Sequence, residues 1–224
     1  MSARDAILNK VRQSLGQPAS DALRQQAVAD RLKNAPQGVI PARGQLAPAG
    51  RIDLFCTMAE KLFATVQRVP KPEDVPAAVA EYLRSKNLPA SIRMGGDPRL
   101  DAMPWRKQRA LEVKQGASDG DDAAGVSHAA GGIAETGTLV MLSGAGNPTT
   151  INFLPEHHIV VIDAADIDGD LETAIAKVRE TFGKGEMPRT LNLVSGPSRS
   201  GDIEQKLILG AHGPRALHIL VVGD

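Results

Sequence analysis

Three short segments carry the residue types that small-molecule chemistry needs, and each adjoins a stretch with the composition of a buried strand. The first, Gly131-Gly132-Ile133-Ala134-Glu135-Thr136-Gly137-Thr138, sets a carboxylate and two hydroxyls among glycines. Glycine tolerates backbone conformations that bulkier residues resist, so amides in such a turn can face a ligand. Glu135 can serve there as nucleophile, base or ligand-orienting carboxylate, or it can bond local amides and close the turn. The second, Ser195-Gly196-Pro197-Ser198-Arg199-Ser200-Gly201-Asp202-Ile203-Glu204, suits an anion. Arg199 offers a planar guanidinium, Ser198 and Ser200 offer hydroxyls, and Gly196 lets the backbone approach. Asp202 and Glu204 can instead cap the next turn and pair with Arg199. The third, Gly210-Ala211-His212-Gly213-Pro214-Arg215, places His212 where it can titrate near neutrality or anchor a backbone turn.

Other polar residues fit bland roles better. His157 and His158 are adjacent at a strand start, so their side chains should point to opposite faces rather than share a metal. Asp119, Asp121 and Asp122 do not have calcium-loop spacing and read as a solvated turn. Gly144-Ala145-Gly146-Asn147-Pro148-Thr149-Thr150 lacks the lysine of a phosphate-binding P-loop and reads as a surface connection. Trp105, beside Arg106 and Lys107, reads as a partly buried anchor.

The elements that must position these segments alternate. Ile7, Leu8, Val11 and Leu15, then Leu23, Ala27, Val28 and Leu32, recur at helical spacing on either side of Gly16-Gln17-Pro18. Residues 36–50 hold three prolines and three glycines, so residues 1–50 are expected to form a helical arm and linker. From residue 51 to 224 helical and strand patterns alternate. Leu54, Met58, Leu62 and Phe63 suit a helix, and Thr65-Val66-Gln67-Arg68-Val69 suits a strand. Pro72 and Asp74 open a helix with Val75, Val79, Tyr82 and Leu83 on its apolar side. Strands are expected at residues 91–94, 124–130, 138–142, 158–162, 191–194 and 217–222, and a helix along Leu171, Ile175, Val178 and Phe182. His158-Ile159-Val160-Val161-Ile162 is nearly all apolar, as in a strand covered on both faces. The alternation predicts an α/β fold with a mostly parallel sheet and helices on both sides. Ligands of such sheets gather at the carboxyl ends of the strands.

Composition narrows the function. Lys and Arg number 26 and Asp and Glu number 26, so no global field draws in nucleic acid or an anionic membrane. No apolar run is long enough to span a bilayer, and the N-terminus lacks the apolar core of a signal peptide; a cytoplasmic location is expected. Cys56 is the sole cysteine. Cysteine-ligated iron–sulfur clusters generally need about four thiolates, so one chain cannot hold such a cluster alone. No cofactor or metal is expected in this chain.

Taken together, Gly132 to Thr138, Leu154-Pro155-Glu156-His157-His158-Ile159, Gly196 to Glu204 and His212-Gly213-Pro214-Arg215 resemble the lactate-utilisation protein C family, the LUD domain. Their order and spacing match from about Ile52 to Val222, with Ser200 where the family usually has threonine. The resemblance implies a Rossmann-like three-layer fold similar to the sugar-phosphate isomerase and CoA-transferase superfamily. It implies a role in oxidising L-lactate to pyruvate beside iron–sulfur partner proteins, which would carry the clusters. In the similar CoA-transferases a glutamate in a Gly-rich turn is the nucleophile, which makes Glu135 a candidate by analogy of fold alone. The resemblance leaves open whether the chain is a subunit that presents a small anion or a stand-alone enzyme on one, such as an acyl-CoA or sugar phosphate. Candidate anion contacts are Thr136, Gly137, Thr138, Gly196, Ser198, Arg199 and Ser200, with Glu135 and His212 as candidate catalytic groups.

Overall fold

The computed structural model describes residues 2–16, 22–34, 36–183, 185–203 and 206–223. They form two compact units, Met1–Val39 and Ile40–Asp224. In the first, α1 (Ala3–Ser14) opens on a capping box, because Ser2 and Asp5 each accept the other's backbone amide. A second helix, α2, spans Ala22–Asn34, and neither helix buries a residue. Gln17 and Pro18, expected between them, lie outside the described residues.

In the second unit α3 (Pro48–Lys61) starts on a proline, whose fixed φ and missing N–H suit the first helical position. It leads into β1 (Thr65–Val69), α4 (Val75–Ser85), β2 (Ser91–Met94), α5 (Pro98–Asp101), β3 (Glu112–Gln115) and β4 (Ala124–His128). Then come β5 (Gly131–Ile133), β6 (Thr138–Leu142), α6 (Thr149–Phe153), β7 (His157–Asp163), β8 (Ile167–Asp168) and α7 (Leu171–Phe182). The chain ends with β9 (Leu191–Val194), the hairpin β10 (Arg199–Ile203) and β11 (Lys206–Leu209), and β12 (Ala216–Val222).

Six strands form one sheet in the order β1-β12-β7-β4-β2-β3. Every pairing in it is parallel, as the alternation of elements predicts. Its central strands are apolar on both faces because both faces are covered. On one face Ile159, Val161, Leu220 and Val222 meet Val75, Val79 and Leu83 of α4. On the other, Val160, Ile162, Ile219 and Val221 meet Ile52, Phe55 and Ala59 of α3.

A second sheet, β8-β5-β6-β9, adds to the expected layers on the α3 side. Its inner face joins the α3 core through Leu139 and Met141. Its outer face, with Ile133 and Val140, is closed by Ala174 and Val178 of α7. The sequence reading corrects here in three places. The Gly131–Ile133 stretch is itself a strand, antiparallel to β6, rather than only a turn. β9 is an edge strand, with Leu193 44% exposed, rather than a buried one. Residues 199–203, expected in a loop, pair with β11 as a hairpin. Among the described residues no helix is long and apolar enough to cross a membrane.

Candidate functional site

The three segments singled out in the sequence do meet, but beside the amino ends of the parallel strands rather than their carboxyl ends. β5 leaves the carboxyl end of β4 and doubles back along α3. Gly132 packs against Phe55, the following Gly137 (φ 64°) against Met58 and Ala59, and Gly196 against Leu62. A Cβ at Gly137 or Gly196 would overlap those backbones, and both hold left-handed φ values, so glycine is required at each. The fold-back carries the 134–137 turn to the end of α3, where β1 begins.

There a cavity of about 270 Å³ lies between residues 193–199 and 212–214. Its inner wall comes from α6 (Asn152, Phe153) and from the second residues of β7 and β12, His158 and Leu217. Gly196, Ser198, Arg199 and His212 all line it. Ser198 ties the two rim segments together: its amide donates to the Pro214 carbonyl, its own carbonyl accepts from Gly210, and its hydroxyl accepts the His212 amide. Ser200 sits one residue further on, paired with Ile208 in the hairpin, and is not among the lining residues. Glu204 lies outside the described residues.

Arg199 is exposed at the rim, its guanidinium carbon 3.3 Å from the centre of the Phe63 ring. Stacking on the ring face turns the in-plane N–H groups away from the ring, and among the described residues none of them is paired, so they can grip an anion. Phe63 itself ends α3 with a φ of 69°, a left-handed position usually taken by glycine.

The inner wall carries a buried polar network. The Ser127 hydroxyl donates to Asn152 Oδ1 at 3.0 Å and lies 3.1 Å from His158 Nε2. A serine has one hydrogen to give, so His158 Nε2–H is the donor to Ser127 and Nδ1 is the acceptor nitrogen of the ring. Burial pushes the His158 pKa down to about 4, so the ring is neutral at physiological pH. His157 points to the opposite face, as strand geometry requires, with Nδ1 2.9 Å from the Tyr82 hydroxyl. Sequence reading missed Ser127 and Asn152. Neither stands out locally, since Ser127 adjoins His128 and Asn152 follows Thr149 and Thr150.

The first segment reaches this rim through hydroxyls. Thr136 Oγ1 lies 2.7 Å from Thr138 Oγ1, which lies 2.7 Å from Ser195 Oγ. Glu135 goes elsewhere. It is 5% exposed and accepts the Leu171 amide at 3.1 Å, at the start of α7, with Arg43 Nε 3.9 Å from its other oxygen. It is not among the residues lining the cavity. A carboxylate at a helix N-terminus satisfies an orphan amide and complements the helix dipole. Asp170 caps the same helix through Thr173 and takes a hydrogen bond from Gln45.

A model of the LUD domain matches residues 52–222. The chain belongs to the LUD-domain family. Lactate utilization protein C of Geobacillus sp. (strain WCH70) is 40% identical over 93 residues, 41% of this chain and 39% of that protein. The matched part thus spans about two fifths of that relative, and the same is true of the Shouchella clausii protein of that name, 35% identical over 92 residues. The Escherichia coli protein YkgG, described as uncharacterized, is 29% identical over 239 residues, with both chains fully covered. A solved DUF162 family protein from Deinococcus radiodurans shares the fold, with a TM-score of 0.59 at 24% identity over 80% of this chain and 99% of that one.

At the opposite, carboxyl edge of its main sheet the LUD domain holds a second polar group. His128 is buried, with Nδ1 2.8 Å from the Ala129 carbonyl, which fixes the proton on Nδ1. Its Nε2 has no hydrogen-bond partner among the described residues and lies 3.6 Å from Asp163 Oδ2. Arg99 reaches the Ala129 carbonyl while chelated by Asp97. Burial lowers the His128 pKa, helped by Arg99 and opposed by the Ala129 carbonyl, Asp163 and Asp97. Among the described residues no group of three His, Cys, Asp or Glu side chains is placed to hold a metal.

Proposed function

We propose that this protein is a cytoplasmic subunit of an L-lactate-oxidising system. In that system iron–sulfur partner proteins carry the electrons, and this chain binds a small carboxylate in the amino-edge cavity. The observation that carries the reading is the LUD domain together with relatives named lactate utilization protein C. The single cysteine supports it, since clusters then belong to partners. In the cavity, Arg199 takes the carboxylate through its in-plane donors, Ser198 and His212 lie at the rim, and the Thr136–Thr138–Ser195 hydroxyls hold the rim in register. Glu135 acts as the cap of α7. For it to act as a nucleophile instead, its carboxylate has to leave the Leu171 amide.

Deleting the gene tests this. The mutant should grow poorly on L-lactate and normally on pyruvate. Equal growth on L-lactate, in a strain without another lactate dehydrogenase, counts against the role. A second reading, a stand-alone enzyme on an acyl-CoA or sugar phosphate, rests on the analogy of Glu135 to the CoA-transferase nucleophile. Turnover of such a substrate by the purified protein would establish it.

A further inference from the structure

A larger groove lies away from the amino-edge cavity, beside the free edge of β3. It encloses about 910 Å³ between β3 and the segment that follows β2. Its floor is apolar: Met94, Met103 and Trp105 are buried, and Leu111 and Val113 are half-buried. The Trp105 indole N–H is already spent on the Leu100 carbonyl at 2.7 Å, so what the ring adds to the groove is apolar surface. Methionine side chains adapt to irregular or planar ligands. At one end the Asp101 carboxylate accepts a hydrogen bond from Gln115 at 3.3 Å. Arg106 and Arg109 stand exposed on the rim, and neither forms an ion pair with a carboxylate among the described residues.

An apolar floor under two unpaired guanidiniums fits one class of occupant. We propose that this groove is a second ligand site, taking a small amphipathic anion whose apolar body lies on Trp105 and the methionines and whose carboxylate or phosphate meets Arg106 and Arg109. Its volume is in the range of small-molecule pockets, about 300–1,000 Å³, which are apolar with a few placed polar groups. The site goes beyond the lactate role and does not depend on it.

Trp105 is the only tryptophan in the chain, so its emission reports the groove directly. The full-length protein is titrated with decanoate, with naphthoate and with uncharged decanol while that emission is followed. One of the two anions should shift it saturably, and which one does so decides between an acyl and an aromatic body. Decanol should bind at least about tenfold more weakly, because it gives the arginines no charge-assisted hydrogen bond. Arg106→Gln with Arg109→Gln alters two exposed side chains, so the fold should melt as before while anion affinity falls by about tenfold or more. Val113→Phe, which fills the groove without adding a tryptophan, should abolish the response, and Arg199→Lys should leave it unchanged. No response to either anion, equal affinity for decanol, or full affinity in the double variant overturns the proposal. So does concentration-dependent self-association that Leu111→Glu abolishes, since that gives the groove to a second copy of the chain.

Discussion

The guanidinium of Arg199 lies over the ring of Phe63, its carbon 3.3 Å from the ring centre, and Phe63 holds a left-handed backbone to present that ring. A bulky residue in this conformation carries strain of about 1 kcal/mol, and such strain concentrates at functional sites. Phe63→Gly relieves it while removing a cation–π contact worth about 0.5–1 kcal/mol at an exposed position. The two changes should nearly offset in thermal stability. Affinity for L-lactate or pyruvate should nevertheless fall, because Arg199 loses its platform. Arg199→Lys keeps the charge but loses the planar fork, and should weaken carboxylate binding by about tenfold or more with little change in melting. Calorimetric titration and melting curves on the same variants separate the effects. Unchanged affinity with lowered stability would make Arg199 structural.

Glu135 should behave as a structural acid. Glu135→Ala removes a hydrogen bond from the Leu171 amide to a charged acceptor and should cost about 1.5–3 kcal/mol. Glu135→Gln keeps an acceptor but loses the charge at the α7 N-terminus, and should cost about 0.3–1 kcal/mol. Urea midpoints measure both. A graded loss of stability with carboxylate binding intact fits a cap; native stability with abolished turnover would fit a nucleophile.

Much of this was legible in the sequence, and what was not has physical causes. β7 and β12 stood out because strands covered on both faces must be apolar throughout. The second sheet did not. β5 is three residues with two glycines and β8 is two residues, so their pairing partners make them strands rather than their own propensities. Because that sheet was hidden, the return of residues 134–137 to the amino edge was hidden with it. Composition marked Gly196, Ser198, Arg199 and His212 as ligand contacts because Gly, Ser and Arg after a strand can be read locally, and the fold sets all four around one cavity. The direction of the Glu135 side chain could not, because it depends on where α7 begins. The Ser127–Asn152–His158 network joins residues 25 and 31 positions apart across β4, α6 and β7, a contact only the tertiary fold makes.

That network sets a pH dependence. His158 has a pKa of about 4 in the fold against an ordinary 6.5, because burial penalises its charged form. Between those values the unfolded chain binds more protons than the folded one. Stability is therefore full above pH 6.5 and is lost as pH falls toward 4. His218, also pushed down to about 4 by burial, adds to the same window. His158→Gln keeps a donor near Ser127 but cannot titrate. Urea unfolding between pH 7 and 4.5 should show the slope reduced by about one proton, roughly 1.4 kcal/mol per pH unit. Identical slopes in variant and parent would mean that His158 is charged in the folded protein.

Affinity purification of the tagged, full-length protein from cells grown on L-lactate puts the proposed role to its most direct test. The eluate should contain cysteine-rich partners with iron–sulfur absorption that bleaches when L-lactate is added, and the Arg199→Lys protein should bring down the same partners with slower bleaching. A protein that elutes without iron–sulfur partners, and whose removal leaves L-lactate oxidation in the extract unchanged, contradicts it.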